Sequence, residues 1–386
     1  MHSLHRVHRV HRVHRVHRVH RVRAFAYALS SCTLRTLCTP CTLPMRLTLL
    51  VVASLALAPS AQGQGRWFKG NTHAHSLNSD GDVPVDEVVR WYREHGYHFT
   101  FITEHEYFTD VTPLNALFAG ANQFLVIAGQ EVTQRVADAK HSGGVRQAHV
   151  NALGTSRLVP TVGVKNIVSG MTIAQTYARN GAAIQAAGGI LQVNHPNFIW
   201  SVPLADMMDL PDSTLFEVWN GHPIVYNLGG TDSTGQEMLS TEARWDSMLS
   251  RGKLLFGVAD DDSHSYKPQD AENPDMARPG RGWIWVRADT LSADAIVRAL
   301  RRGDFYASTG ITLRELKVDS GQYRLEITPA GDRRYLTEFI GQGGRVLARS
   351  TTLRPSYRIT GSEGYVRARV SDSSGRNAWT QPVRTR

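Results

Sequence analysis

From about residue 66 onward the sequence predicts an α/β fold built on a mostly parallel sheet or a barrel. Short apolar runs of strand length alternate with stretches of helical period, and this order continues to about residue 310. No long all-α or all-β region interrupts it. The texture then changes. Residues 311–386 hold short alternating runs such as GQYRLEIT and YVRARVSD, broken by Gly, Ser and Pro, and read as a small antiparallel β-sandwich.

RWFKGNTHAH opens the series as a strand. VPVDEVVRWYREHG follows as a helix, because Val85, Val88, Val89 and Tyr92 fall at i, i+3, i+4 and i+7, with Pro84 near the start and Gly96 at the end. The next strands are YHFTFIT (97–103), FLVIAG (124–129), QAHVNALG (147–154), GILQVNH (189–195), LFEVWN (215–220) and LLFGVAD (254–260). Helical runs intervene at about 172–187 and 241–251, so seven strands stand in mostly β-α order. GWIWVRA (282–288), the helix SADAIVRALRRG and FYASTG complete a unit spanning 64–310, ahead of the sandwich at 311–386.

The beginning of the chain reads differently. Residues 5–22 are six copies of His-Arg-Val, a period too short for a folded repeat. MRLTLLVVASLALAPSAQGQG then has the layout of a signal peptide: Met45, a positive Arg46, an apolar stretch to Ala58, and small residues Ala61 and Gly63 suited to cleavage. It is too short to span a bilayer as a helix. The expectation is that 1–44 is a spurious or disordered leader, that 45–63 is the signal peptide, and that the product is exported to the periplasm or beyond. A metal-binding or nucleic-acid-binding tail is the rival reading of the repeat.

Residues 1–63 contain nine arginines and no acids, so the formal charge of +9 belongs wholly to them. The remainder is neutral, which removes the electrostatic case for a nucleic-acid partner or a membrane surface. All three cysteines (Cys32, Cys38, Cys41) lie in the same segment. Disulfides, zinc thiolates and a cysteine nucleophile are thereby excluded from the rest.

The remainder has ten histidines, and six sit at or beside ends of expected strands. His73 and His75 follow the first strand in an H-x-H pair, whose rings face one way if the backbone is extended. Asp80 follows them, His105 and Glu131 end the next two strands, and His149 lies in the fourth. His195 ends the fifth, and Asp262 and His264 close the seventh. Singly, each has a structural explanation, such as a turn for Asp262. Together they would meet at one mouth of a barrel, where strand ends converge. Imidazole with carboxylate and no thiolate suits Zn²⁺, Mn²⁺ or Fe²⁺. Nine donors exceed the needs of one ion, so two or three divalent ions sharing carboxylates are expected, and such sites hydrolyse.

THAHSLNSDGD, TEH, GQE, His149, NHP and DSH occur in the order found in the PHP (polymerase and histidinol phosphatase) superfamily, which residues 68–310 resemble. WNGHP, GVADDDSH, RPGRGW and RRGDFYASTG further resemble its secreted branch, which includes carbaryl-hydrolase-type metallohydrolases. The resemblance implies a distorted (β/α)7 barrel. It implies one ion on His73, His75, Glu131 and Asp262, a second on Glu131, His149 and His195, and a third on Asp80, His105 and His264. Glu131, Asp262 and His264 become the catalytic candidates. The family usually has Asp where this chain has Glu104, a position expected to orient His105.

Asn220 and His222 are candidates to line the substrate cavity, and Arg278 and Arg281 to bind an anionic group. The function implied is hydrolysis of a small-molecule phosphoric ester. A carboxylic ester or carbamate is the second substrate class, and a non-catalytic ligand-binding module the contrasting one. Oligomeric state is not legible.

Overall fold

A computed structural model describes residues 65–118, 123–319 and 321–385. The repeat and the expected signal peptide lie outside the described residues.

β1 (Arg66–Asn71) leads through α1 (Val85–Glu94) to β2 (Phe99–Ile102), and α2 (Thr112–Phe118) leads on to β3 (Leu125–Ala137). β4 (Val145–Leu153) turns straight back along β3, and β5 (Ile167–Val168) and α3 (Ile173–Ala186) precede β6 (Ile190–Val193). β7 (Leu215–Asn220), the hairpin β8 (Gly230–Thr231) and β9 (Glu237–Met238), α4 (Thr241–Ser250) and β10 (Phe256–Asp260) come next. β11 (Trp283–Ala288), α5 (Ala293–Arg302) and β12 (Phe305–Ser308) follow. The remaining strands are β13 (Leu313–Asp319), β14 (Gln322–Ile327), β15 (Tyr335–Gly341), β16 (Arg345–Ser350), β17 (Ser356–Arg358), β18 (Tyr365–Asp372), β19 (Asn377–Thr380) and β20 (Val383–Arg384).

Local chemistry accounts for the helix ends. In α1 the stripe Val88, Val89 and Tyr92 is buried, and Asp86 and Glu87 occupy the first turn, where carboxylates favour the helix dipole. α3 begins with a full capping box between Thr172 and Gln175. α5 starts on the Ser292 side chain and stops at Gly303, whose left-handed backbone (φ 74°) suits glycine. The seven-residue α2 was not expected from the sequence; it is too short to display a period.

The strand order is β10-β7-β6-β4-β3-β2-β1, and β1 continues into β11 and β12. β1, β2 and β3 run parallel, as do β6, β7 and β10. β4 departs from the parallel expectation, pairing antiparallel with both β3 and β6. The cause is the connection: a short turn at 138–144 joins β3 to β4, and only a long crossover can return a strand in parallel. Beyond β1 and β10 a parallel bridge pairs Ala74 with Ser263, which brings the two ends of the seven-strand series together. One buried cluster draws on all seven strands, through Phe68, Phe99, Ile127, Leu153, Ile190, Leu215 and Val258. Ile296 and Leu300 of α5 join that cluster, while α3 and α4 pack outside on β4, β6 and β7 through Tyr177, Ile184, Trp245 and Met248.

The C-terminal strands are hydrogen-bonded into the same sheet, since β19 pairs with β12 and continues through β18 and β15 to β16. A second sheet, β13-β14-β17, shares with them a core containing Tyr323, Leu325, Phe339 and Val366. Fully buried Arg367 ties β18 to α4: it donates to Asp246 at 2.8 and 2.6 Å and to Glu242 at 2.8 Å. Among the described residues no helix is long and apolar enough to cross a membrane.

Candidate metal centre

His73 and His75 flank bridged Ala74 just past β1, and both are fully buried. Extended backbone places their rings on one side, with centroids 5.1 Å apart. His73 Nε2 lies 3.3 Å from Glu131 Oε2 and 3.2 Å from Asp262 Oδ1. His75 Nε2 is 3.4 Å from each of the same oxygens. The other Glu131 oxygen lies 3.1 Å from His149 Nδ1 and 3.3 Å from His195 Nε2. A third group gathers round Asp80, with His105 Nε2 and His264 Nε2 each at 3.3 Å and His75 Nδ1 at 3.6 Å. Within each group the donor atoms lie within 4.8 Å of one another. All nine donor positions singled out in the sequence thus come together, in three groups joined by Glu131 and His75.

Glu131 and His149 are not at strand ends, contrary to the sequence expectation for Glu131. β3 runs on to Ala137, and Thr133 pairs with His149 across the β3–β4 ladder. The hairpin therefore runs on past the ends of the neighbouring strands, and one of its faces carries the central carboxylate. The bound on β3 was misjudged because Gln130 and Gln134 interrupt the apolar run. Both are buried, their amides bonded to the carbonyls of Val159 and Val162.

Several rings have one nitrogen committed and the other aimed inward. His73 Nδ1 is 2.8 Å from Glu217 Oε1, which keeps the proton on that nitrogen and leaves Nε2 as the one that can release its proton and ligate. His149 Nε2 bonds the Gln147 side-chain oxygen at 3.0 Å, freeing Nδ1. His264 Nδ1 bonds the Asp262 carbonyl at 2.9 Å, freeing Nε2 towards Asp80. Among the described residues, His73 Nε2, His75 Nε2 and His149 Nδ1 are buried without a hydrogen-bond partner. Buried polar atoms are rarely left so. The spacing explains it: ligands about 2.1 Å from a tetrahedral ion stand ~3.4 Å apart. The donors fit divalent cations, and the cluster is able to bind metal.

The electrostatics agree. Burial opposes ionisation of Glu131, but His105, His73 and His149 outweigh it and hold the carboxyl well below its usual range. Burial likewise opposes the Asp262 charge, and His73 and His75 overcome it. Burial and the neighbouring His264 push His75 down to about 3, so its ring is neutral and fit to ligate. For His105, burial is outweighed by Glu131 and Asp80, and its pKa rises to about 9. Without a metal, protons on such rings balance the carboxylates.

A supporting layer escaped the sequence reading. Glu217 orients His73, accepts from the His195 backbone N–H, and accepts from Asn220 Nδ2 at 2.8 Å. Asn194 Nδ2 donates to Glu131 Oε1 at 3.0 Å. Gln192 Nε2 and Thr72 Oγ1 each donate to Asp260 Oδ2 at 2.9 Å. Burial and the adjacent Glu217 push the Asp260 carboxyl well up. The available signal was a carboxylate inside the otherwise apolar run LFEVWN, where all but Trp219 are buried. His195 and Asp262 have left-handed backbone (φ 23° and 47°), a strained state for non-glycine residues held here by these contacts.

The weaker candidates separate. His222 lines the roughly 160 Å³ cavity over the donors, with Phe198, Ile224 and Val225, and its ring lies 5.5 Å from His264. Asn220 does not line it; it is buried beneath, donating to Asp262 Oδ2 at 3.1 Å. Arg278 and Arg281 are not on the lining either. Arg281 is spent on the carbonyls of Gly221 and Pro274, because the 274–282 loop folds back over it. Glu104 bonds the Ser76 and Ser79 hydroxyls and the Ser76 N–H, not His105. It therefore fixes the loop that presents Asp80, while His105 Nδ1 contacts Thr133 Oγ1.

No family model matches the chain, and no curated protein matches it. Several solved structures are similar to it, two of them as follows. One, from Bacteroides vulgatus ATCC 8482, is a two-domain protein containing a predicted PHP-like metal-dependent phosphoesterase; it is 17% identical, covers 83% of this chain and 88% of its own, and has a TM-score of 0.43. The other, from Bifidobacterium adolescentis ATCC 15703, is named as a suggested metal-dependent phosphoesterase; it is 16% identical, covers 52% of this chain and 89% of its own, and has a TM-score of 0.31. Likenesses at this level do not assign an activity.

Proposed function

We propose that this chain is a metal-dependent hydrolase of the PHP type, acting first on phosphoric esters. The observation that carries the reading is Glu131: one buried carboxylate faces the inward nitrogens of two donor groups, with five imidazoles within 3.4 Å. His73, His75, Glu131 and Asp262 would hold one ion, Glu131, His149 and His195 a second, and Asp80, His105 and His264 a third. Ions held there supply acidification of water and compensation of the negative charge that develops at phosphorus. The chain's own residues do the rest. Glu131 and Asp262 would hold the cations, Glu217 and Asn194 fix their partners in register, and Phe198 and Val225 give the opening an apolar wall. His222 lines the opening beside His264. In this reading the seven strands form a distorted (β/α)7 barrel, 311–386 is a small sandwich packed on it, and 45–63 directs export.

The test is turnover by the full chain loaded with Mn²⁺ or Zn²⁺ on aryl phosphates, phosphodiesters, carboxylic esters and carbamates. Phosphoric ester hydrolysis that a chelator abolishes is the expected result. Hydrolysis of carboxylic esters or carbamates alone would move the substrate class, and no turnover with ions bound would leave a binding module. Export is tested separately, by mass spectrometry of the exported protein, with an N-terminus near Gln64 expected.

A further inference from the structure

A second cavity lies across the turn that carries His195. Phe198 of that turn faces the metal cavity, whereas Ile199 and Trp200 line the second one, which has a volume of about 500 Å³. The change of side coincides with left-handed backbone at Ile199 and Trp200 (φ 45° and 55°), a conformation that bulky residues rarely adopt. Trp200 stacks on Tyr226 with centroids 4.7 Å apart, and Met238 and Leu239 of the β8–β9 hairpin line the cavity as well.

The wall also contains a charge with no counterpart. Arg244 of α4 is only 3% exposed. It donates through Nη1 to the Val202 carbonyl at 2.5 Å, its Nε is buried without a partner, and no carboxylate among the described residues lies within 4.0 Å of it. The other arginine buried among the described residues, Arg367, has both Asp246 and Glu242. Burial pushes the Arg244 guanidinium down to about 10, the mark of a cation left uncompensated. Buried charges are normally paired, within the protein or by what it binds. Exposed Lys140 adds positive charge to the same cavity, whereas Arg146 on its wall is paired with Asp138 at 2.6 Å. Its two acids, Asp232 and Glu237, sit on the hairpin and accept from that hairpin's own Thr234 and Thr231.

We propose that this cavity binds an organic anion, a carboxylate or sulfonate on a flat apolar body, with the head on Arg244 and the body against Trp200, Met238 and Leu239. The volume is that of a small-molecule site and too large for a bare inorganic anion. The proposal stands whether or not the metal centre hydrolyses anything.

The probe is naphthalene-2-sulfonate, whose sulfonate is a weak ligand for divalent ions, titrated calorimetrically into the full chain with chelator present and again with Mn²⁺ loaded. One saturable site with a Kd of about 1 mM or tighter is expected, equally with and without metal. Arg244→Met should weaken binding by about threefold or more, since a charge-assisted bond to the head is lost. Where Arg244→Met does not fold, Lys140→Glu at the exposed rim decides by the same margin. No saturable binding, binding only with metal present, or a smaller loss in the deciding variant overturns the proposal.

Discussion

Replacing Glu131 by glutamine keeps the shape of the side chain and removes one charge from the middle of the donor set. Oε2 lies 3.3, 3.4 and 3.1 Å from nitrogens of His73, His75 and His105, and Oε1 lies 3.1 and 3.3 Å from those of His149 and His195. Two cations placed among these nitrogens would lose the anion common to both. A unit charge pair 4 Å apart is worth about 4 kcal/mol at an effective dielectric of 20, or roughly 10³-fold in an equilibrium constant. At least one ion should therefore be lost at micromolar metal, and turnover should fall by about 10³-fold or more, as for groups that act in concert. Folding should survive, because the strand core of Phe99, Ile127, Leu215 and Val258 contains none of the donors. The assay sets elemental analysis and turnover at saturating metal beside circular dichroism and melting. A folded Glu131→Gln variant that keeps its full metal content and turns over within about threefold of wild type would refute the bridging role.

Four further outcomes follow from the structure. Glu217→Gln, which loosens His73 and the His195 backbone, should cost about 10–100-fold in metal affinity by chelator competition without unfolding the chain, and unchanged affinity would count against its orienting role. Metal affinity should climb between pH 6.5 and 9, because His105 is held at about 9 and must give up its proton to ligate, with His73, His195 and His264 shifted the same way. The raised pKa of His105 gives the metal-free protein stability that is fully present below about pH 6.5 and lost as pH rises through about 9, so its melting temperature should fall across that window while that of the metal-loaded protein holds; parallel melting curves would contradict this. Arg367→Leu should destabilise by about 3–5 kcal/mol in denaturant titration, since it leaves buried Asp246 without its cation while Glu242 keeps only Arg369, and a loss under about 1 kcal/mol would contradict that role.

The first-contact residues were legible because metal donors must be His, Asp or Glu, and those letters are conspicuous after apolar runs. What holds them was less so. Glu217 and Gln192 lie on strands that read as plain interior, with Asn194 just past the end of one, and only the pairing of β6 with β7 shows that they turn inward beneath the donors. Asn220 and Glu104 were noticed for their neighbours in sequence. Their partners, Asp262 at 42 positions' remove and Ser76 at 28, exist only once the strands meet. The reversal of β4 was hidden for a different reason: residue alternation fixes which side chains share a face but carries no strand direction. The lone charge of Arg244 had no signature at all, because isolation is a property of the packed α4 and not of the letters around it.

Counting ions tests the central claim most directly. The full chain, loaded with Mn²⁺ or Zn²⁺ and desalted, should hold two or three ions per molecule by elemental analysis, and the His73→Ala, His75→Ala double variant should hold fewer while keeping its circular dichroism spectrum. A wild-type chain that retains no ion after loading, or a double variant that retains as many as wild type, would contradict the account.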